Sequence, residues 1–462
     1  MKIFVRNVLM ICALAFLLLW TPLWNGYPFL HADSGTYIWS SVIFLVPQDR
    51  PIGYSLFLRA TQLFPSLWMV VIVQALGTAY LLWRVAERML ISGGLNNSTR
   101  AWLALTIATL TILFTTISTF VGFILADILA SWIFLGTTLW FLSTRNFDRV
   151  LAALAIFTGA WSHNSHVLLA LGLALPVMAS CLLLRRSRPE LLRRALLWFA
   201  VVVIALTAMF AVNIYLRAGT QLTRGGDTIW LNRFAGNGVL QATLEANCAT
   251  QTWKLCASLP ELRAHQGEVN WFLFGQNSPV NQVGWEKETR EQNEIVMRAL
   301  QCCAAKIIAS SVSETWRQFW LLSIQPYLAP LSETMNAVLA VRKNFPHELN
   351  SFRAARQQAG QFTPTRLVPL DETWMQIIFL ILGIGLALNA GLRRAWRECL
   401  FLGGVLYFLI LNAAIMATFS GAFTRYQGRV YWLLIYAVLV VLTCQIVNRR
   451  GLFSHLHYAH RR

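Results

Sequence analysis

Charge is scarce in this sequence and negative charge scarcer: 13% of its 462 residues are charged, with 20 Asp and Glu against 38 Lys and Arg. Soluble globular domains carry about a quarter of their residues as charges. With 56% hydrophobic side chains and a mean hydropathy of +0.54, water cannot be this chain's only solvent. Nucleotide and metal signatures are also missing. The sequence has no Walker phosphate loop, dinucleotide fingerprint or His-Glu-x-x-His pair, which leaves nucleotide-driven transport and zinc proteolysis without support. The first apolar run follows Lys2 and Arg6 and ends in Trp20-Thr-Pro-Leu-Trp24. It lacks the small-residue site at which a secretory signal is cut, so it reads as an uncleaved first span.

What is present is a series of uncharged apolar runs near the ~20 residues that carry a helix across about 30 Å of hydrocarbon. They fall at 8–24, 67–83, 102–120, 128–142, 150–161, 167–184, 196–216, 374–392, 400–419 and 430–447. The composition therefore predicts an all-α polytopic membrane protein of about ten transmembrane helices, both termini cytoplasmic. Charge placement supports that topology. With the N-terminus inside, the cytoplasmic segments hold 19 Lys and Arg against four acids, Glu87, Asp148, Glu190 and Glu398. In the short outer loops only Arg50, Arg59, Arg425 and Arg429 are basic. This is the positive-inside asymmetry, so the net charge of +18 reports topology and gives no support to nucleic-acid binding.

Three blocks follow: an N-terminal membrane module, 1–216, with an informative first external loop at 25–66; an extracytoplasmic, mostly helical block, 217–373; and C-terminal spans with a tail, 374–462. In the first loop, 34–46 forms an amphipathic helix, Pro47-Gln-Asp-Arg-Pro51 breaks it, and 52–64 is apolar but too short to cross. The outer block contains Gly225-Gly226-Asp227, Pro260, Pro279, Pro326 and Pro330 in polar surroundings. Within it, apolar residues from Ile295 through Ala299, Cys303, Ile307 and Val312 to Trp316 and Trp320 recur about every four positions. That rhythm predicts one amphipathic helix, lying on the membrane surface or packed in an external core. Cys248 and Cys256 close a short ring and are expected to form a disulfide in an oxidising compartment, the alternative being two free thiols. A bridge between the adjacent Cys302 and Cys303 would be strained.

Four polar constellations interrupt the apolar pattern. His31-Ala-Asp33-Ser-Gly-Thr-Tyr37 and Asp49-Arg50-Pro51-Ile-Gly53-Tyr54 lie in the first external loop. Asp33 is a candidate general base, able to take a proton from an attacking hydroxyl or amine; the competing role is a cap on a helix starting at Ser34. Asp127 sits in an apolar stretch, where an unpaired charge costs roughly 2.5–3.5 kcal/mol, so something must compensate it, or interfacial water must reach it. His163-Asn-Ser-His166 lies between two spans as candidate ligand lining or as a polar turn, and His-x-x-His alone is a weak metal signal. Arg425 and Arg429, flanking Tyr426, are four apart on one helix face. They suit bidentate binding of phosphate oxygens, or interfacial anchoring of the last span.

On these residues the sequence resembles the type C glycosyltransferases (GT-C), polytopic enzymes that take a sugar from a polyprenyl-phosphate carrier. Their first external loop carries an Asp or Asp-Glu motif, often a Tyr soon after, and a proline-containing stretch. Asp33, Tyr37 and Arg50-Pro51-Ile52-Gly53-Tyr54 match that layout, with a single Asp where some members have two acids. The resemblance covers the membrane layout of about the first 185 residues and these short motifs only. It implies a bacterial inner-membrane enzyme with its active site on the periplasmic side. The implied partners are a polyprenyl-phosphate-linked sugar, membrane lipid, and a glycan, lipid or protein acceptor. It further implies inversion at the anomeric carbon with Asp33 as base, and Asp127 supporting the acceptor or a divalent cation. Mg or Mn is then a candidate cofactor, with Asp33 and Asp127 the candidate ligands. Tyr37, Arg50, Tyr54, His163, His166, Arg425, Tyr426 and Arg429 would bind substrate. The alternatives are a transporter or flippase of lipid-linked sugars, and a non-catalytic envelope assembly protein.

Overall fold

A computed structural model describes residues 2–62, 65–183, 188–268, 270–275, 277–283, 289–362 and 372–459. The ends of two sequence-predicted segments, Phe64 and Leu184, lie outside the described residues. Among the described residues the secondary structure is helical throughout, apart from one parallel bridge between Phe29 and Phe123. The N-terminal part runs α1 (Lys2–Leu18), α2 (Trp20–Asn25), α3 (Ala32–Ile43), α4 (Gly53–Thr61), α5 (Leu67–Met89), α6 (Asn97–Phe114), α7 (Ile117–Gly122) and α8 (Asp127–Leu142). It continues through α9 (Asn146–Trp161), α10 (Asn164–Gly172), α11 (Ala174–Leu183) and α12 (Arg188–Tyr215).

Among the described residues, six helical runs are long and apolar enough to cross a membrane: α5, the joined α10 and α11, α12, and the three C-terminal helices α22 (Glu372–Leu392), α23 (Trp396–Phe419) and α24 (Thr424–Ala459). Their packing grades from centre to edge. In α24, 72% of the apolar window is buried, against 22% in α12 and α22. The outer helices turn Leu196, Ile204, Ile381 and Leu388 outward. A contiguous leucine and isoleucine surface of that kind requires an apolar surrounding. The other sequence-predicted crossings carry α1, α6, α8 and α9, of 16 to 18 residues.

The 25–66 loop folds as its prolines dictate, into α3 and α4 on either side of the 47–51 break. Between 217 and 373 the chain builds two parts. Helices α13 (Gly226–Gly236), α14 (Val239–Asn247), α15 (Leu259–Ala264), α16 (Trp271–Phe274), α17 (Pro279–Val283) and α18 (Thr289–Cys302) surround a separate small core around Phe234, Leu244 and Ile295. Helices α19 (Ala304–Trp320), α20 (Asn336–Asn344) and α21 (Leu349–Arg353) belong to the stretch that joins the large core through Leu322, Val338, Val341 and Phe352. Helix α20 lies directly on α3. At Gly35 an added Cβ would meet the Ala337 backbone nitrogen at 2.5 Å, so only glycine permits this approach.

The rhythm from Ile295 to Trp320 does not make one helix. The chain bends by 88° at Cys303. The apolar residues serve two partners: Ile295, Val296 and Ala299 close the small core, whereas α19 packs on α23 and leaves Ile308, Val312 and Trp316 outward. Cys248 and Cys256 are disulfide-bonded with Cα atoms 5.8 Å apart. The sulfurs of Cys302 and Cys303 are also in contact.

Candidate active site

Four helices begin at one place. The chain enters α3 through His31, whose ring Nδ1 accepts from the Asp33 backbone N–H at 3.2 Å. His31 and not Asp33 is therefore the cap, and the Asp33 carboxylate is free for other partners. The segments leading to the two acids are joined by the lone bridge: Phe29 N–H donates to Gly122 O at 2.9 Å, and Ile124 N–H returns to Phe29 O at 3.0 Å. Gly122 allows it, since a Cβ there would meet the Pro22 and Phe29 rings at 2.9 and 3.1 Å. Asp33 and Asp127, 94 positions apart in the chain, are thereby brought into one region at the starts of α3 and α8.

Arginines from two other segments fill the space between them. Arg50 reaches Asp33 Oδ1 at 3.0 Å and also pairs with Asp49 Oδ2. Arg425, at the start of α24, reaches Asp33 Oδ2 at 3.0 Å, faces Asp127 Oδ2 with its Nε at 3.4 Å, and donates to His31 Nδ1 at 3.1 Å. Arg429, one turn on and 1% exposed, pairs with Asp127 Oδ1 at 3.1 Å and donates to Asn412 Oδ1 at 2.9 Å and Ser165 Oγ at 3.4 Å. Three guanidiniums thus face the carboxylates of Asp33, Asp49 and Asp127. Burial raises the Asp33 carboxyl's pKa, and Arg50 and Arg425 together lower it further than that, to well below its ordinary value. The side chain remains about a quarter exposed, so the cluster opens to water.

The aromatic candidates surround the arginines. Tyr37 lies under Arg50, 4.9 Å from ring centre to guanidinium carbon, and meets the Tyr54 ring edge-on at 4.7 Å. Tyr54 is fully buried, and its hydroxyl donates to Gln74 Oε1 at 2.8 Å, so it supports Tyr37 from behind and does not reach the opening. Tyr426 lies against both Arg425 and Arg429, at 5.3 and 5.4 Å. His163 caps α10, its Nδ1 accepting from Ser165 N–H at 3.2 Å, which places its proton on Nε2. Burial, reinforced by Arg429, pushes His163 down to about 3, so it is neutral at physiological pH. His166 is fully buried and its Nδ1 faces the Gly159 carbonyl, an acceptor, at 3.1 Å. Its Nε2 and the Nε of Arg429 are buried without a hydrogen-bond partner.

The residues as arranged do not fit a divalent cation. Each oxygen of Asp33 and Asp127 already faces a guanidinium, and no group of three or more His, Cys, Asp or Glu suited to a metal occurs among the described residues. Cys248 and Cys256 pack on the small core, separate from the large core that holds this cluster.

Several supporting residues escaped the sequence reading. Gln318 grips the turn before α24, donating to Phe423 O at 2.9 Å and accepting from Phe423 N–H at 2.8 Å. Gln357 grips Leu30 in the same two-way fashion, donating at 2.8 Å and accepting at 3.3 Å. Asn412 holds the Tyr426 carbonyl at 2.8 Å while accepting from Arg429. Only Asn412 carries a sequence signal, a lone amide inside an apolar span. Compared with known proteins, the chain matches no family model, no curated protein and no solved structure.

Proposed function

We propose that this chain is a GT-C-like glycosyltransferase that moves a sugar from a polyprenyl-phosphate donor to an acceptor on the membrane face opposite its termini. The observation that carries this reading is the junction of Asp33 and Asp127 with Arg50, Arg425 and Arg429 where α3, α8, α10 and α24 all begin. Helix N-termini and guanidiniums favour an anion, and the unpartnered Nε of Arg429 is a buried donor left for one. The ten-span topology belongs to the same proposal: α1, α6, α8 and α9 join the six longer runs, α8 packing on both α5 and α9.

The chemistry follows from competition. The donor phosphate takes over guanidinium donors of Arg425 and Arg429, and Asp33, no longer held by Arg425, regains the basicity that pairing suppressed. The acceptor O–H or N–H gives its proton to Asp33, the acceptor atom bonds to the anomeric carbon from the opposite face, and the bond from that carbon to the phosphate oxygen breaks. The electron pair leaves with the phosphate, whose charge the arginines neutralise, and the anomeric centre inverts. Asp127 keeps Arg429 and Arg425 oriented throughout. No step runs through a metal ion.

The test is transfer of radiolabelled sugar from a polyprenyl-phosphate donor in membranes carrying the chain. Asp33→Asn is expected to insert normally and to lose about 10²–10⁴-fold in rate, the usual worth of a positioned base. An unchanged rate in Asp33→Asn would remove Asp33 as the base, and transfer that does not depend on the chain would favour a flippase or an assembly role and end the transferase reading.

A further inference from the structure

Away from the ion cluster, the N-terminal halves of α1 and α6 run side by side and enclose an open groove of about 650 Å³. Val5, Leu9, Met10, Ala13, Trp102 and Leu105 line it, and Arg6 is its one charged lining residue. That volume lies within the ~300–1,000 Å³ typical of small-molecule sites, and the lining offers a ligand almost nothing but hydrocarbon.

Arg6 is anomalous in this setting. Its Nε is buried without a partner, and among the described residues its hydrogen bonding is a single 3.4 Å contact to the neighbouring Asn7. The sequence supplies no acid that could answer it from either helix: Asp33 is the first acid of the chain, and none occurs between Glu87 and Asp127. Arg100 adds positive charge at the end where α6 begins. Both helices also point their N-termini there, the positive ends of their dipoles, with Asn96 capping the Thr99 N–H of α6 at 2.8 Å.

We infer that this groove is a binding site for an anionic phospholipid, with one acyl chain between α1 and α6 and the phosphodiester on Arg6. Charge complementarity selects the headgroup: an apolar slot alone would take any lipid chain, whereas an unanswered guanidinium at its mouth favours net negative charge. The site is independent of the proposed transferase reaction.

The protein purified in detergent is incubated with equimolar dioleoyl phosphatidylglycerol and dioleoyl phosphatidylcholine, and retained lipid is counted by intact mass measurement. Phosphatidylglycerol is expected in excess, and Arg6→Gln is expected to lower the excess about fivefold, the worth of one basic residue near a lipid headgroup. Ala13→Trp, at an exposed position in the groove, is expected to reduce retention of both lipids. Equal retention of the two lipids by the unaltered protein, an excess unmoved by Arg6→Gln, or retention unmoved by Ala13→Trp would each overturn the inference. If Arg6→Gln fails to insert, the unaltered protein and Ala13→Trp decide it.

Discussion

Asp33 and His163 are both set by Arg-rich surroundings, in ways that pH separates. For His163 the folded pKa is depressed from the ordinary 6.5 to about 3. The unfolded chain therefore binds a proton that the folded chain refuses, and stability present above pH 6.5 is lost as pH falls toward 3. Asp33 behaves as a depressed carboxylate: its contribution is present above its ordinary 3.8 and is lost as pH falls through the lower folded value. The window between about pH 4 and 6.5 is where the histidine contribution is read. Thermal unfolding of purified His163→Gln is expected to depend less steeply on pH across that window than the unaltered protein. Identical slopes would show that the ring is protonated in the fold. The chemical candidates at this scale were legible because charges in apolar sequence need compensation; Asp127 advertises a missing partner by its surroundings alone. Which partner answers was not legible. Arg429 is 302 positions from Asp127 and Arg425 is 392 from Asp33, and no local pattern encodes such pairings.

Among the helices, a second ion cluster links α5 to α9. Asp148, nearly fully buried, accepts from Arg84 at 2.5 Å, Arg88 at 3.1 Å, Tyr80 at 2.8 Å and Ser143 at 2.5 Å. Asp148→Asn leaves Glu87 as the one carboxylate paired with Arg84 and Arg88, so the loss is expected toward the low end of the about 3–5 kcal/mol that breaking a buried ion pair costs. The denaturant midpoint of that variant in detergent is expected to drop accordingly, and an unchanged midpoint would mean that water reaches the cluster. Helix positions followed from sequence because lipid selects composition over whole turns, and Pro47 and Pro51 marked the break between α3 and α4. The bend between α18 and α19 did not follow. Its apolar spacing runs unbroken through Cys303, and the bend arises because the two halves bury their faces against different cores. Gln318 and Gln357 were silent for a related reason: in a polar segment a glutamine is ordinary, and its grip on Phe423 or Leu30 depends on a distant backbone.

For the whole molecule, the charge asymmetry and the ion cluster place opposite demands on the two membrane faces. Ser98→Cys, in the first turn of α6, and Thr250→Cys, in the turn after α14, both occupy exposed positions. With the four unpaired cysteines, Cys12, Cys181, Cys399 and Cys444, replaced, intact cells are expected to admit an impermeant maleimide to position 250 but not to 98. The reverse pattern would invert the topology and put the Asp33 cluster inside. The account rests on Asp33 and a donor phosphate competing for Arg425. The affinity of purified protein for a polyprenyl phosphate tests that competition directly: Asp33→Asn, which removes the rival anion without removing the arginine, is predicted to bind more tightly than the unaltered chain. Binding that weakens or stays the same would contradict a phosphate site at this cluster.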